Sequence, residues 1–266
     1  MRAPQGDFLA GVIENKKLEV KRLQEIGMTM LGMLADAAPK PRDFLASLRG
    51  RKSVPIIAEI KKSAPSWGPC RKEVNVKSFA RMYEASGAAA ISVLTDSMFF
   101  RGSIDDLTAV RCEVIIPVLR KDFIISVEQL YDARAAHADA VLLILAMLDD
   151  HELRKLYDVC IGFGMTPLLE IHDESEVKRA LQLDPKLIGI NNRNLKSLEV
   201  DLGVSERLRR LIPSDVVVVV ESGVSTEEDI TRLLNAGIDG FLIGTSLMKS
   251  SNPGQTLYSF VNMRRA

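Results

Sequence analysis

From residue 54 to residue 243, short runs of apolar and β-branched residues alternate with stretches in which apolar residues recur at helical spacing. Most of these runs are continuously apolar, which is typical of parallel strands covered on both faces. They predict eight strands, at residues 54–60, 89–95, 114–120, 140–144, 167–171, 187–191, 216–221 and 240–243. Eight strands that alternate with helices predict the α/β class and a (β/α)8 barrel, because a doubly wound sheet seldom needs so regular a series.

Residues that begin and end helices stand between these strands. Asp173 with Glu176, and Ser225 with Glu228, have the spacing of a capping box, which marks the first turn of a helix. Gly237 stands where a glycine commonly ends a helix. We therefore expect helices to begin at residues 173 and 225, and one to end just before residue 237.

Residues 1–50 follow a different pattern. Phe8, Val12 and Ile13 recur at helical spacing, the segment 37–41 with its two prolines interrupts the pattern, and residues 42–48 restart a short helix. A helix this amphipathic needs an apolar surface to cover. We expect residues 1–266 to form a single barrel domain, of which residues 1–50 are an N-terminal helical extension packed on the barrel.

Composition excludes several classes of function. Lys plus Arg and Asp plus Glu both number 35, so no net charge draws the chain to nucleic acid or to an anionic membrane. The longest apolar stretches are far shorter than the ~20 residues that span a bilayer, and the N-terminus lacks the apolar core of a signal peptide. The three cysteines are scattered and contain no CxxC pair. We expect a cytoplasmic protein with reduced thiols.

Charged residues stand where the odd-numbered strands end. Glu59 and Lys61 close the first strand, Lys121 follows the third, and Glu170 and Glu221 end the fifth and seventh. Active sites of such barrels lie at the C-terminal ends of the strands, and alternate strands fill the same interior layer. These five side chains should therefore meet, where they would tune one another as acids and bases. The alternative is that they form salt bridges on the barrel rim.

Two further groups of residues lie at this predicted face. Ser222 and Gly223 follow the seventh strand, and Gly244 and Thr245 follow the eighth, where barrel enzymes commonly bind phosphate through backbone N–H groups. The alternative is that these glycines only turn the chain. Three phenylalanines follow strands two and three and either belong to the core or face an aromatic substrate, namely Phe99, Phe100 and Phe123.

The three histidines suggest no chemistry. His137 and His151 fall on helices or at their starts, and the ring of His172 is expected to point away from the carboxylate of Glu170. No cluster of histidines, cysteines or carboxylates has metal-ligand spacing. We therefore predict that the protein uses neither a metal nor another cofactor.

Seven sequence motifs, in order along nearly the whole chain, resemble those of the indole-3-glycerol phosphate synthase family. They are IIAEIKKSAPSWG at 56–68, LTDSMFFRGS at 94–103, PVLRKDF at 117–123, LLEIHD at 168–173, IGINNRNL at 188–195, ESGV at 221–224 and FLIGTSLM at 241–248. The N-terminal helix resembles the extra helix that covers the barrel entrance in that family. The resemblance implies a lyase of tryptophan biosynthesis that closes, decarboxylates and dehydrates 1-(2-carboxyphenylamino)-1-deoxyribulose 5-phosphate to indole-3-glycerol phosphate.

The resemblance also implies a role for each motif residue. Lys121 would be the general acid that protonates the ketone, Lys61 would bind the carboxylate and deliver a proton during dehydration, and Glu170 would be the base. Glu59 and Glu221 would keep the lysines charged and oriented. The remaining residues implied to position or bind the substrate are Asn191, Arg193, Phe123, Ser222, Gly223, Leu242, Gly244 and Thr245. The implied partners are this small phosphorylated substrate and other enzymes of the tryptophan pathway.

One loop departs from the family pattern. The family usually reads Ser-Pro-Ser after the first lysine pair, whereas this chain reads Ser63-Ala64-Pro65-Ser66, followed by Trp67 in place of a common lysine. Ala64 therefore lacks the hydroxyl group that the resemblance leads us to expect at this position for phosphate binding. Two alternatives remain open: a barrel isomerase or aldolase in which Lys121 forms a Schiff base, and a barrel that binds a phosphorylated ligand without turning it over.

Overall fold

A computed structural model describes residues 8–64, 68–71, 73–194 and 199–263. Eight strands pair in parallel in chain order and close into a barrel, because the last strand also pairs with the first. The strands are β1 Ile56–Ile60, β2 Ala90–Leu94, β3 Val118–Lys121, β4 Ala140–Ile144, β5 Thr166–Ile171, β6 Leu187–Asn191, β7 Val217–Glu221 and β8 Gly240–Ile243. The predicted (β/α)8 barrel is confirmed.

The apolar residues on the inner faces of the strands determine which way the charged residues point. In four strands a buried inner residue stands two positions before the terminal charge, in the pairs Ile57 and Glu59, Leu119 and Lys121, Leu168 and Glu170, and Val219 and Glu221. Side chains two apart on a strand share a face. The packing that fills the barrel therefore also points these four charges toward its axis at the C-terminal end.

Helices surround the barrel, and their apolar faces form the larger part of the core with the outer faces of the strands. Their bounds are α1 Phe8–Ile26, α2 Met28–Ala37, α3 Phe44–Leu48, α4 Val76–Ala85, α5 Ser97–Phe100, α6 Ile104–Glu113, α7 Val127–Ala135, α8 Asp150–Gly162, α9 Glu174–Leu181, α10 Gly203–Arg209, α11 Glu227–Asn235, α12 Thr245–Lys249 and α13 Pro253–Val261. A 3-10 turn covers Leu145–Met147, and a two-stranded antiparallel pair joins Ser63–Ala64 to Gly68–Pro69.

The third strand begins at Val118, so the prediction that it starts at residue 114 is wrong. The backbone N–H groups of Ile115 and Ile116 donate to Oε1 of Glu84 at 2.7 and 3.1 Å, which removes them from the sheet. Pro117 then has no N–H to donate. The apolar residues before the proline are therefore part of a turn rather than of a strand.

Helix boundaries correct two further expectations. The capping box before α11 joins Thr226 to Asp229, one residue later than the predicted pair of Ser225 and Glu228. Asp173 does cap α9, but Glu176 accepts the backbone N–H of His172 rather than that of Asp173. Gly237, with φ of 86°, follows α11 as expected.

The described residues 8–50 form three helices rather than the two that the sequence pattern predicted. Gly27, at φ 86°, separates α1 from α2, a conformation that suits glycine because it has no Cβ. Helix α2 packs on α7. In α3, Phe44 and Leu48 are buried against inner residues at the start of several strands, so this short helix closes the N-terminal end of the barrel.

Candidate active site

Lys121 lies at the centre of the charged cluster at the C-terminal end of the barrel. Its Nζ is 2.8 Å from Oε2 of Glu221 and 3.3 Å from Oε2 of Glu170. The lysine side chain is 15% exposed and each carboxylate only 2%. The predicted convergence of β3, β5 and β7 is therefore present, and these groups are buried rather than solvated salt bridges on the rim.

The pKa values of the two carboxylates around Lys121 are shifted in opposite directions. Burial would raise the pKa of Glu170, but the charge of Lys121 and then contacts from His172 and Asn191 outweigh it and lower that pKa. Burial and the neighbouring carboxylate of Glu170 raise the pKa of Glu221 despite Lys121. Two carboxylates that share one cation and differ in this way suit different acid–base roles.

Lys121 itself is held as a cation. Burial alone would lower its pKa, but the carboxylates of Glu221, Glu170 and Glu59 together raise it above its ordinary value. A protonated amine beside a substrate oxygen can donate a proton. A Schiff base requires the neutral amine, so this environment disfavours the alternative in which Lys121 attacks a carbonyl.

Lys61 and Glu59 form a second ion pair beside the first. Nζ of Lys61 lies 2.6 Å from Oε1 of Glu59 and 3.3 Å from Oγ1 of Thr245, which begins α12 after β8. The lysine is 11% exposed, and the carboxylate is 6% exposed. Lys61 therefore connects the first strand to the loop after the eighth, where the sequence predicted phosphate binding.

Asn191, at the end of β6, links the acid–base cluster to the next loop. Its Nδ2 donates to Oε1 of Glu170 at 3.1 Å, and its Oδ1 accepts the backbone N–H of Arg193 at 3.0 Å. The Arg193 backbone also bridges to Val200. Asn191 is thus placed to orient Glu170 and also fixes the backbone of Arg193.

The glycine-containing ends of β7 and β8 lie side by side. Ser222 and Gly223 both have positive φ, at 61° and 92°, and Oγ of Ser246 donates to the carbonyl of Val224 at 3.0 Å. A Cβ at Gly244 would lie 2.0 Å from Oε1 of Glu59. Gly244 therefore lets Glu59 approach the backbone, a need that the sequence did not reveal.

Two glycines make room for carboxylates of the cluster. Besides Gly244, Gly189 in β6 faces Glu221, and a Cβ there would lie 2.3 Å from Oε1 of that carboxylate. This Oε1 is buried and makes no hydrogen bond with the described residues.

The apolar residues that were expected to bind the substrate lie beside this cluster. Phe123, after β3, is half-buried, and its ring centroid is 6.2 Å from that of Phe100 in α5. Leu242 in β8 is buried among the inner residues of the barrel and pairs in register with Glu221. Pro65, Ser66 and Trp67 of the departing loop lie outside the described residues, whereas Ala64 before them is buried.

His172 lies against Glu170, although its ring was expected to point away from that carboxylate. Its Nε2 is 3.2 Å from Oε1 of Glu170 and its Nδ1 is 3.2 Å from Oε2 of Glu176. The expectation that ring and carboxylate point apart was wrong, because residues two apart at the end of a strand share a face. The sequence therefore contained the signal for this contact.

A second cluster was missed entirely. Lys16 of α1 is fully buried, and its Nζ lies 2.8 Å from Asp96 and 2.7 Å from Asp122. Asp96 follows β2, and Asp122 follows β3. Asp122 also contacts Arg120 and Thr95. The signal was a lysine four residues after the buried Val12, on the apolar face of its helix.

Within residues 8–64, 68–71, 73–194 and 199–263, no group of three or more histidines, cysteines and carboxylates is arranged to hold a metal ion. Over the same residues, none of the helices has the length and apolarity needed to cross a membrane.

A closed barrel with buried lysines and carboxylates in contact at its C-terminal face is typical of the class of (β/α)8-barrel enzymes. The family model for indole-3-glycerol phosphate synthase matches residues 9–260. The chain belongs to the indole-3-glycerol phosphate synthase family, the carboxy-lyases that form the indole ring in tryptophan biosynthesis.

Curated relatives carry the same description. An indole-3-glycerol phosphate synthase of Albidiferax ferrireducens is 45% identical over 255 residues, which cover 94% of this chain and 97% of that protein. One from Legionella pneumophila is 40% identical over 247 residues, 91% of this chain and 96% of the relative. The solved structure of thiamine phosphate pyrophosphorylase from Pyrococcus furiosus has a TM-score of 0.61 at 14% identity, covering 82% of this chain and 96% of that one. This last likeness concerns the fold alone.

Proposed function

We propose that Lys121 is the general acid of the ring closure and that Glu170 and Lys61 serve the later dehydration. The observation that carries this proposal is the buried contact of Lys121 with Glu170 and Glu221. The reaction needs a proton donor where an oxygen becomes negatively charged and a base where a proton leaves carbon. The site holds a lysine kept cationic and a carboxylate kept ionised, side by side.

In the first step, the ring carbon that bears the carboxylate attacks the ketone carbon of the substrate. A carbon–carbon bond forms, and the ketone oxygen takes the proton of Lys121 and becomes a hydroxyl group. Positive charge at this position stabilises the developing alkoxide. Glu221, 2.8 Å from the amine, orients Lys121 for this transfer.

In the later steps, carbon dioxide leaves with cleavage of its bond to the ring, and the bonding electrons restore the aromatic system. Water is then lost: the hydroxyl group leaves with a proton from Lys61, and Glu170 accepts the proton from the neighbouring carbon. Glu59 holds Lys61 at 2.6 Å, and Asn191 holds Glu170 at 3.1 Å. Separate acids for the two steps let each proton be delivered where it is needed.

The substrate is held at both of its ends in this proposal. Backbone groups around Ser222, Gly223, Gly244 and Thr245 bind the phosphate, in the position that barrel enzymes commonly use. Phe123 and Leu242 contact the aromatic ring, while Arg193 and Lys61 bind the carboxylate. Support comes from the position of all these residues at one end of the barrel, with Lys61 reaching Thr245.

Residues 1–266 act in this proposal as a single barrel domain, with residues 1–50 as its packed extension. The balanced charge and the scattered cysteines favour a cytoplasmic enzyme that does not bind nucleic acid or membranes. Other enzymes of the tryptophan pathway are its proposed protein partners.

The activity is tested by following indole fluorescence with the purified chain and 1-(2-carboxyphenylamino)-1-deoxyribulose 5-phosphate, without added metal or cofactor. We expect formation of indole-3-glycerol phosphate. Borohydride added during turnover should trap no covalent adduct. Tight binding of the substrate without product would instead support a binding protein, and a trapped adduct at Lys121 would support the Schiff-base alternative.

A further inference from the structure

His172 lies between β5 and α9, directly behind the carboxylate of Glu170. Its ring is buried to the extent that only 14% of the side chain is exposed. Nε2 is 3.2 Å from Oε1 of Glu170, an ion-pair distance without the direction of a hydrogen bond. The ring therefore lies next to Oε1 of the proposed base, whereas Lys121 contacts Oε2.

The other side of the ring is fixed by α9. Oε2 of Glu176 lies 3.2 Å from Nδ1 of His172 and also accepts the backbone N–H of the same residue at 2.6 Å. Asp173 caps α9 through the N–H groups of Ser175 and Glu176, so the helix start that carries Glu176 is itself anchored. Only the imidazolium form carries a proton on both nitrogens and so places positive charge next to both carboxylates.

The charges around His172 favour that form. Burial would lower the pKa of His172, but Glu170 and Glu176 outweigh it and raise it to about 10. The nearby Asp173 adds negative charge on the α9 side. On the far side of Glu170 stand Lys121 and Glu221, which form the ion pairs already described.

Glu170 thus has two cationic neighbours, Lys121 and His172. Of these, Lys121 also has to act on the substrate. Lys121 contacts Oε2 of Glu170 and, in the proposed function on which this step rests, turns to the substrate ketone. His172 is held by Glu176 and has no such alternative partner. We propose that His172 is a positioning residue that keeps Glu170 ionised and oriented through the reaction, in a linked row of Glu170, His172 and Glu176.

The charge of the ring is tested directly by NMR titration of the full-length chain. The sequence has three histidines, so loss of one set of ring signals in the His172→Gln variant assigns that residue. We expect the His172 ring to remain protonated well above pH 8 and to titrate at lower pH in Glu170→Gln and in Glu176→Gln. A His172 that titrates near its ordinary ~6.5 in the unsubstituted protein would overturn the proposal.

The effect on Glu170 is tested by the pH dependence of kcat/KM. Removing the imidazolium favours the neutral form of Glu170 and so raises its pKa. The acidic limb of the kcat/KM profile should therefore move to higher pH in His172→Gln, by about one to three pH units. The value of kcat should fall about 10- to 100-fold, as is typical for partners that orient a functional group, with little change in KM. A merely structural role would lower activity without moving the limb, and that result would contradict the proposal.

Glu176→Gln and His151→Asn complete the experiment. Glu176→Gln should move the limb in the same direction by a smaller amount, and adding it to His172→Gln should cause no further shift, because both act through the same contact. It also provides a test if His172→Gln does not fold. His151→Asn, on α8, should change neither kcat nor the limb.

The Glu170→Gln variant distinguishes a wrong assignment of the base from a wrong role for His172. If Glu170→Gln retained normal turnover, Glu170 would not be the base, whereas the titration of His172 would still report whether the linked row exists. If Glu170→Gln is inactive but the His172→Gln limb stays in place, only the positioning role is wrong.

Discussion

At the scale of single residues, the site depends on glycines as well as on charged side chains. Gly189 and Gly244 leave room for the carboxylates of Glu221 and Glu59. Each carboxylate in turn holds a lysine at 2.8 Å or less. The glycines therefore help to set the lysine positions, although neither glycine has a side chain that could take part in the chemistry.

We expect Gly189→Ala to lower both activity and stability. The added Cβ would lie 2.3 Å from Oε1 of Glu221 and 3.2 Å from Cδ1 of Leu168, so the carboxylate must shift away from its position beside Lys121. Overpacking of this kind typically costs about 1–3 kcal/mol. Steady-state kinetics and urea unfolding measure the two effects.

Gly11→Ala is the matched control. A Cβ at Gly11 meets nothing within 4 Å, and the residue lies inside α1. Alanine in an open helix position should increase stability, by up to about 1 kcal/mol, and leave kcat unchanged. If Gly189→Ala behaved like this control, the packing of Glu221 against β6 would not be important.

The charged residues of the site were predictable from sequence because they end strands that the apolar pattern already defined. Glu59, Lys121, Glu170 and Glu221 each follow an inner apolar residue by two positions. The glycines that make room for them at long sequence distance were not predictable. The need for Gly244 to accommodate Glu59 depends on the pairing of β1 with β8, which only the closed barrel establishes.

At the scale of elements, a buried charged cluster connects the N-terminal helix α1 to the C-terminal ends of two strands. Lys16 contacts Asp96 and Asp122, and burial of the lysine is compensated by these carboxylates, which raise its pKa overall. Asp122 stands next to Lys121 in the chain. The extension therefore reaches the segment that carries the proposed general acid.

Replacing Lys16 with methionine should destabilise the protein strongly. Two buried carboxylates would lose their shared cation, and breaking a buried ion pair on one side typically costs about 3–5 kcal/mol. Thermal or urea unfolding of Lys16→Met measures the loss.

Lys17→Met is the neighbouring control for this prediction. Lys17 is 62% exposed and pairs with an exposed Glu14, and such pairs contribute about 1 kcal/mol or less. An equally small loss in both variants would show that the buried cluster does not anchor α1.

Element boundaries show where sequence patterns lose precision. Residues 114–117 look like the start of a strand, but Glu84, 31 residues before Ile115, accepts two of their backbone N–H groups. Gly27 separates two helices that the apolar pattern joins into one. In both cases the deciding contact or backbone angle exists only in the folded protein. The spacing of apolar residues in the sequence does not reveal it.

At the scale of the whole molecule, one closed barrel brings five charged residues from four strands to one end. The fold class was predictable because eight apolar runs with helices between them leave few other architectures. The attachment of the extension was not, since Lys16 meets partners that lie far along the chain. Family membership then connects this architecture to a reaction.

Activity should not require a metal ion. The carboxylates of the site already have lysine partners, and two cationic amines in the same cluster oppose binding of a further cation. Dialysis against a strong chelator should leave kcat and KM unchanged. Activity that is lost on dialysis and restored by one divalent ion would overturn this prediction.

The most direct test of the central claim is the turnover of Lys121→Ala together with its affinity for the product, indole-3-glycerol phosphate. A general acid acts in the transition state, so kcat should fall by about 10² to 10⁴, while the Kd for product changes far less. Lys17→Ala, at an exposed position of α1, should keep normal turnover. If Lys121→Ala kept a kcat within a few-fold of the unsubstituted enzyme, Lys121 would not be the general acid.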